Sequence, residues 1–246
     1  MDSRVVVPAY AKLNLALRVL HKRDDGFHDL RTVFQTISLR DRLEIGFRKA
    51  RLTTVACECT PQIPNNIAVR AAQTLLETMR CRAEVTIRIA KQIPMGGGLG
   101  GGSADAAAVL LALPQLARRR VDPGRLLQIA ASLGSDVPFF LRGGTALGLS
   151  RGEELYPFPE PAVSHGVLVT PGIHVSTAEA SGGLGRTREI VSPEPMPARS
   201  WDVPPGAGIA AWGASVTTIL RSRCSAVIRN WRRSSGSCRS WARAWR

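Results

Sequence analysis

The sequence predicts an α+β fold in which strands and helices are mixed without a βαβ repeat. Two observations support this prediction. Alternating apolar and polar residues over Leu13–Val19 and Ala83–Ile93, and a β-branched, partly alternating run over Thr32–Ile45, indicate half-buried strands. Apolar residues at helical spacing over Asn65–Met79, and the run Gly124–Gly134 that ends on glycine, indicate helices.

The remaining elements follow in chain order. Asp24–Asp29 reads as a turn, and either Asn65 or Asn66 is the expected N-cap of the first helix. A glycine-rich loop follows the second alternating run, and the alanine-rich segment after it predicts a helix that starts near Ser103. Gly143–Leu155 and Ser164–Gly172 are expected to form strands and turns.

Composition restricts the class of protein. The 246 residues are enough for one large domain or two small ones, and 44% hydrophobic residues exclude a chain disordered throughout. No apolar run approaches the roughly 18–20 residues that a membrane span needs, and the N-terminus lacks the layout of a secretory signal, so a cytoplasmic location is expected. The five cysteines form no CxxC pair, which predicts free thiols and no metal site.

Charge and tryptophan are unevenly distributed along the chain. The total net charge is +14, and residues 182–246 hold 11 arginines, no lysine and 3 acidic residues, a net charge of +8. All five tryptophans lie in the same segment. The chain therefore has two compositionally different parts.

The glycine-rich stretch "PMGGGLGGGSADAA" (Pro94–Ala107) carries the clearest chemical signal. Glycines let backbone N–H groups approach a ligand, and the N-terminus of the following helix adds partial positive charge, so an anion site suited to nucleotide phosphates is expected. Ser103 can add a hydroxyl ligand to a phosphate or a metal ion. The flanking strand and helix argue against a flexible linker, and the pattern is neither a Walker A loop nor a dinucleotide-binding fingerprint.

This stretch resembles the phosphate-binding motif of the GHMP kinase superfamily. Ala11–Ile45 and Gly134–Leu155 resemble the branch that phosphorylates the 2-hydroxyl of 4-diphosphocytidyl-2-C-methyl-D-erythritol in the non-mevalonate route to isoprenoids. The resemblance runs from about Val5 to Ala180. It implies ATP as co-substrate with Mg²⁺, and a cleft between two domains, the first similar to ribosomal protein S5. Other small-molecule GHMP kinases remain an alternative, which the segments "DDGFHD" and "GSDVPFF" disfavour. The oligomeric state stays open.

Catalytic roles are implied for Lys12 and Asp136 by this resemblance. The carboxylate of Asp136 is expected to accept the proton of the attacking hydroxyl, and the ammonium of Lys12 to stabilise charge during transfer. Without the resemblance, Lys12 reads as a residue on a solvated strand face and Asp136 as a helix N-cap.

Binding residues are implied in the same way. Asn14, Phe27 and His28 match substrate-side positions, although Phe27 stands where the family usually has tyrosine. Asn66 and Lys91 match positions near the adenosine, with a helix cap and a solvated strand residue as the plainer interpretations. The phosphates are expected to contact the loop residues Pro94, Met95, Gly96, Gly97, Gly98, Leu99, Gly100, Gly101, Gly102, Ser103 and Ala104.

The resemblance stops after Ala180. We expect a kinase N-terminal domain over residues 1–155, the start of an incomplete C-terminal α+β domain over 156–181, and an aberrant, disordered tail over 182–246. Synonymous codons for "TTILR" (Thr217–Arg221) can read Asn-Asp-Phe-Glu one base earlier, a motif that the family carries. A frameshift near residue 181 is therefore our hypothesis, and it makes kinase activity of the chain as written doubtful. A genuine basic tail that binds nucleic acid is the alternative.

Overall fold

The computed structural model describes residues 2–23, 28–159 and 165–170. Within these residues the chain forms six strands and four helices. In chain order they are β1 (Asp2–Lys22), β2 (His28–Lys49), β3 (Thr54–Cys59), α1 (Ile67–Thr78), β4 (Ala83–Ala90), α2 (Gly101–Leu116), α3 (Pro123–Leu133), α4 (Val137–Arg142), β5 (Thr145–Leu149) and β6 (Glu154–Pro157).

All six strands belong to one sheet, built on the long antiparallel pair β1–β2. The strand order is β3-β4-β2-β5-β6, with β1 also paired to β2. Besides β1, strand β2 pairs with two further strands: residues 32–35 pair with β5, and residues 42–49 pair with β4. The β1–β2 pair thus connects two parts of the sheet, and its register is interrupted between Tyr10 and Lys12 and again between Asn14 and Ala16.

The main core lies between the sheet and the helices. Strand β4 alternates buried and exposed positions, as its sequence predicts, and its apolar side is covered by α1 and α2. Helix α2 is buried along almost its whole length because its alanines allow close approach to α1 and β1. The largest fully buried side chains are Phe34, Phe139, Leu43, Ile45, Leu75, Leu76, Ile87, Leu110, Leu113, Val33, Val85 and Val109.

Most elements agree with the sequence prediction. Helix α1 is capped by Asn66, whose side chain accepts a hydrogen bond from the N–H of Ala68, so of the two candidate caps Asn66 is the one used. Helix α2 begins at Gly101, slightly before the predicted start near Ser103. The α+β fold class of the described residues is confirmed.

Two features differ from the prediction. Strand β3 had no strong pattern of its own, yet it pairs in parallel with β4 through α1 and so forms one βαβ unit. Residues 165–170 are neither helix nor strand, because Val167 and Val169 are exposed and pair with no described strand.

Several predictions lie outside the described residues. These are most of the turn at Asp24–Asp29, most of the segment 156–181, and the whole tail 182–246 with its proposed frameshift. In the part of the chain that is described, no helix has the length and apolar character required to cross a membrane.

Candidate active site

Lys12 and Asp136 form an ion pair. The Lys12 Nζ lies 3.3 Å from Asp136 Oδ2, and the side chain of Lys12 is 7% exposed whereas that of Asp136 is 31% exposed. Asp136 occupies the N-cap position of α4, but its side chain makes no capping hydrogen bond. The structure thus brings together the two residues for which the resemblance implies catalytic roles, and the alternative of Lys12 on a solvated strand face is wrong.

An irregularity in β1 places Lys12 against the glycine-rich loop. Between Tyr10 and Lys12 the register with β2 shifts, so the Lys12 N–H is free to donate to the carbonyl of Leu99 at 3.0 Å. The ammonium of Lys12 also lies 5.1 Å from the ring centroid of Phe34. Both contacts hold a charged side chain in a place where water reaches little of it.

Asn14 is tied to the same ammonium. Its Oδ1 accepts a hydrogen bond from Lys12 Nζ at 2.7 Å, and its Nδ2 donates to Thr32 Oγ1 at 2.7 Å. Both ends of the Asn14 amide therefore have protein partners. The structure places this predicted substrate residue beside the Lys12–Asp136 pair.

The glycine loop approaches the pair through its backbone. Gly100 is the N-cap of α2 with φ of 72°, and a Cβ there would lie 2.6 Å from Phe140 Cζ and 3.2 Å from Lys12 Cγ. Leu99 anchors the loop because its side chain packs with Ala11 and Ile93. A Cβ on Gly98 would meet nothing within 4 Å, so the loop borders open space there. Exposed backbone beside the first turn of α2 is an arrangement that can bind phosphate.

Lys91 lies beneath the loop and does not face solvent. Its ammonium contacts Asp41 Oδ2 at 2.5 Å and Asp105 Oδ2 at 2.9 Å, and both carboxylates are buried. A Cβ on Gly101 would lie 3.2 Å from Lys91 Nζ. Asp41 also accepts the N–H groups of Gln92 and Ile93 through Oδ1. The interpretation of Lys91 as a solvated strand residue is wrong, since Lys91 links β2 to the start of α2.

Two carboxylates share this one ammonium, and the titration of Asp105 and of Lys91 departs from the ordinary. Burial raises the pKa of Asp105 to about 7; Lys91 opposes the rise and Asp41 adds to it. Burial lowers the pKa of Lys91, but the two carboxylates outweigh burial and its pKa is raised. The second oxygen of Asp105, Oδ1, is buried with no hydrogen-bond partner.

Asn66 caps α1 and also borders a cavity. Its Oδ1 accepts from the N–H of Ala68 and its Nδ2 donates to Cys57 Sγ at 3.7 Å, so the helix-cap interpretation is confirmed. A cavity of about 650 Å³ opens between the end of β3 and the start of α1. Its lining combines apolar side chains with amides and two thiols, namely Cys57, Cys59, Gln62, Ile63, Pro64, Asn65, Asn66, Val69, Arg70 and Gln73.

The remaining predicted residues are less fully described. Phe27 lies outside the described residues, and His28 is the first residue of β2, in register with Lys22. Ser103 and Ala104 lie in the first turns of α2, where the Ala104 N–H donates to the Gly100 carbonyl. Among the described residues no group of three or more histidine, cysteine, aspartate or glutamate side chains is arranged to hold a metal ion.

Comparisons with known proteins fit this geometry. Residues 66–144 match the family model of the GHMP kinases N terminal domain. A 4-diphosphocytidyl-2-C-methyl-D-erythritol kinase of Solibacter usitatus is 56% identical over 178 residues, which are 72% of this chain and 56% of that protein. The corresponding kinase of Geobacter sulfurreducens is 42% identical over 188 residues, 76% of this chain and 67% of that protein.

This chain belongs to the 4-diphosphocytidyl-2-C-methyl-D-erythritol kinase family of the GHMP kinases. The crystal structure of a 4-(cytidine 5'-diphospho)-2C-methyl-D-erythritol kinase superposes with a TM-score of 0.55 and 42% identity, and the match covers 64% of this chain and 56% of that one. The chain thus spans 56% of the Solibacter usitatus kinase, 67% of the Geobacter sulfurreducens kinase and 56% of the crystallised kinase. The predicted resemblance to this branch of the kinases is confirmed.

The sequence did not indicate four residues that contact the predicted site residues. Asp41 and Asp105 hold Lys91, Thr32 holds Asn14, and Cys57 contacts Asn66. Asp105 lies inside the quoted glycine motif, so its position was visible, but its partner was not. Thr32 and Asp41 lie in β2, where the run of apolar residues conceals buried polar side chains, and Cys57 lies in β3, which had no strong pattern.

Proposed function

We propose that this protein, in its correct reading frame, transfers a phosphoryl group from ATP to the 2-hydroxyl of 4-diphosphocytidyl-2-C-methyl-D-erythritol. The observation that carries the proposal is the Lys12–Asp136 pair, which adjoins the backbone of the glycine loop. The family to which the chain belongs supports the substrate. Action in the cytoplasm, where ATP is present, is part of the proposal.

The chemistry is an in-line transfer of the γ-phosphoryl group. The 2-hydroxyl oxygen forms a bond to the γ-phosphorus, the bond from that phosphorus to the β–γ bridging oxygen breaks, and ADP leaves with the bond electrons. Asp136 takes the hydroxyl proton; it is the more exposed partner of the pair, so a substrate can reach it. Lys12 stabilises the negative charge on the transferring group.

The glycine loop and α2 supply the phosphate site. In this proposal the phosphate oxygens accept hydrogen bonds from N–H groups of the loop and of the first turn of α2, beside the open space at Gly98. Mg²⁺ would neutralise charge on the phosphates, and it typically takes one or two protein ligands together with phosphate oxygens. In this proposal Ser103, in the first turn of α2, would give such a ligand.

The adenine ring is assigned to the cavity between β3 and α1. Ile63, Pro64 and Val69 provide apolar contacts there, and Gln62 and Gln73 provide hydrogen-bonding groups. Asn66 and Lys91 act indirectly in this proposal, since their polar groups are engaged with protein partners. Phe27 and His28 are assigned to the cytosine of the substrate, by stacking and by hydrogen bonding.

The tail is assigned to a shifted reading frame. In the match to the Solibacter usitatus kinase, 178 of the 246 residues are aligned and 56% of that protein is covered, so both chains contain further residues that do not correspond. A frame change near residue 181 accounts for an arginine- and tryptophan-rich segment after a matching body. The chain as written then lacks the second wall of the cleft and has little or no kinase activity.

The test uses two proteins, the chain as written and a frame-restored protein in which the reading frame is corrected by one base near codon 181. Isothermal titration with a non-hydrolysable ATP analogue measures binding, and coupled ADP release measures turnover of 4-diphosphocytidyl-2-C-methyl-D-erythritol. We expect binding and turnover in the frame-restored protein. A folded frame-restored protein that binds no analogue contradicts the phosphate site, and one that binds the analogue but phosphorylates only other alcohols contradicts the substrate.

A further inference from the structure

Thr32 is a fully buried hydroxyl residue of β2 beside the Lys12–Asp136 pair, and it carried no prediction. Its exposed fraction is 0%, and its Oγ1 makes two hydrogen bonds. It donates to the carbonyl of Ala16 at 2.8 Å and accepts from Asn14 Nδ2 at 2.7 Å. A buried hydroxyl with both functions satisfied is a fixed point in the site.

The direction of these bonds is determined by the chemistry of the groups. The Ala16 carbonyl can only accept, so the single hydroxyl proton of Thr32 is committed to it. The hydroxyl must then accept from Asn14, which requires the NH₂ end of that amide to face Thr32. Asn14 Oδ1 is left facing the Lys12 ammonium, at 2.7 Å.

We infer that Thr32 is a positioning residue whose hydroxyl fixes the amide of Asn14 and, through it, directs the ammonium of Lys12 toward Asp136. The inference rests on the proposed roles of Lys12 and Asp136. Thr32 reaches no reacting atom itself and acts through Asn14.

The backbone around Thr32 is built for this contact. One extra residue of β1, Leu15, interrupts the register between Asn14 and Ala16, and Ala16 lies next to this bulge. On the other side, Gly148 of β5 is opposite Thr32, and a Cβ there would lie 3.0 Å from Thr32 Cγ2 and 2.7 Å from Phe34 Cε2. Glycine at this position lets both Thr32 and Phe34 lie where they contact the Lys12 network.

The experiment observes Lys12 directly in the full chain and needs no turnover. The chain has four lysines, so ¹⁵N-lysine labelling gives a simple ammonium spectrum, in which Lys12→Arg identifies the Lys12 signal. Thr32→Val keeps the shape and removes the hydroxyl, whereas Thr32→Ser keeps the hydroxyl. Lys91 is the internal control, because its ammonium is held by a separate set of carboxylates.

In Thr32→Val we expect the rate of proton exchange between the Lys12 ammonium and water to rise about fivefold or more, because about one hydrogen bond that orders the ammonium is lost. The exchange rate of the Lys91 ammonium should be unchanged. Thr32→Ser should stay within about twofold of the wild type. An unchanged Lys12 signal in Thr32→Val overturns the inference, and so does equal loss in Thr32→Val and Thr32→Ser, which would assign the effect to the methyl group. If Thr32→Val also raises the exchange rate of Lys91, the exchange rates of Lys12 and Lys91 are compared in Thr32→Ala. A rise for Lys12 alone supports the inference, and no rise for Lys12 overturns it.

A kinetic measurement separates this inference from the proposed function. In the frame-restored protein, Thr32→Val should lower kcat about fivefold or more with the KM for ATP unchanged, and Thr32→Ser should restore it. Altered Lys12 exchange in a protein without kinase activity would support the positioning role while contradicting the proposed reaction. Normal kinase activity in Thr32→Val would contradict the positioning role alone.

Discussion

The ammonium of Lys12 lies 3.3 Å from the carboxylate of Asp136, although Lys12 is on the first strand and Asp136 directly precedes the fourth helix. Neither residue is held there by its own element, because Asp136 makes no capping bond and Lys12 sits at an irregular point of β1. Two independent parts of the fold therefore meet to form the pair. Catalysis by proton transfer requires a base held within hydrogen-bond reach of the proton that it accepts, and this contact fixes the position of the Asp136 carboxylate.

The first prediction concerns Asp136 as the general base. In the frame-restored protein, Asp136→Asn should lower kcat by roughly 10²–10⁴-fold, because the amide cannot accept the hydroxyl proton. Asp122→Asn is the matched control, since it makes the same chemical change at the exposed N-cap of α3, where asparagine also caps well. Steady-state ADP release measures both. A loss below about tenfold in Asp136→Asn removes Asp136 from this role.

The second prediction concerns the backbone of the glycine loop. Gly100→Ala should lower the free energy of unfolding by about 1–3 kcal/mol, because φ is 72° and the new Cβ would lie 2.6 Å from Phe140 Cζ. Gly97→Ala is the control, since its Cβ would lie 3.5 Å from Leu99 Cδ1, an ordinary contact. Urea unfolding of the chain as written measures the difference, and equal stabilities of the two variants would contradict the described loop conformation.

The third prediction concerns pH and Asp105. Its pKa in the folded state is raised by burial to about 7 from an ordinary value of 3.8. The folded state therefore binds a proton that the unfolded state has already released, so the stabilisation is complete below about pH 4 and is lost as the pH rises through 7. Between pH 5 and 7, wild type should lose up to about 1.4 kcal/mol per pH unit relative to Asp105→Asn.

Denaturant unfolding of both proteins at several pH values gives this difference directly. Asn at position 105 carries no titrating proton, so the variant serves as the reference for all other groups. A difference that is constant from pH 5 to 8, or that grows in favour of wild type, would exclude a raised pKa for Asp105.

The fourth prediction concerns the cavity assigned to adenine. Cys57 and Cys59 line it, whereas Cys81 does not, so an ATP analogue should slow alkylation of the first two thiols and leave the third unchanged. Burial raises the pKa of Cys57 to about 11, so its alkylation should be slow below pH 9 even without nucleotide. Mass spectrometry after brief exposure to iodoacetamide gives the three rates. Equal rates for Cys57 and Cys59 with and without saturating analogue would place the base elsewhere.

Local patterns predicted the elements better than they predicted the polar contacts. The alternation in β4 and the spacing in α1 gave correct strands and helices, because one face of each element packs against the core. Strand β3 escaped prediction since its residues alternate weakly and its pairing partner comes later in the chain. For Lys91, the sequence alone favoured a solvated residue, yet two buried carboxylates from β2 and α2 surround it.

The same limit applies to the site. The roles of Lys12 and Asp136 were expected from the family resemblance alone, because the spacing of the two residues in the sequence does not indicate that they meet. Asn14 and Asn66 were expected as ligand contacts from the resemblance, and the protein partners of both amides were not foreseen apart from the helix cap at Asn66. Hydrogen-bond partners that come together only in the folded chain cannot be inferred from one-dimensional periodicity.

The last prediction concerns the reading frame. Synonymous codons for Arg229–Gly236, read one base earlier, give Pro-Glu-Leu-Ala-Glu-Ile-Lys-Arg, a plausible helix start, in place of an arginine- and serine-rich run. A segment translated in the wrong frame has no selected apolar face, so it cannot complete a cleft.

We therefore expect the nucleotide sequence around codon 181 to differ from an in-frame gene by one base, and the chain as written to release ADP at background rate. Correcting that base should yield both a cooperative unfolding transition for the added domain and turnover of 4-diphosphocytidyl-2-C-methyl-D-erythritol. The control is the frame-restored protein with Asp136→Asn, which should be folded and inactive. Full activity of the chain as written would refute the frameshift. Salt-dependent binding of residues 182–246 to random DNA would instead favour a basic segment that contacts phosphates through arginine and bases through tryptophan.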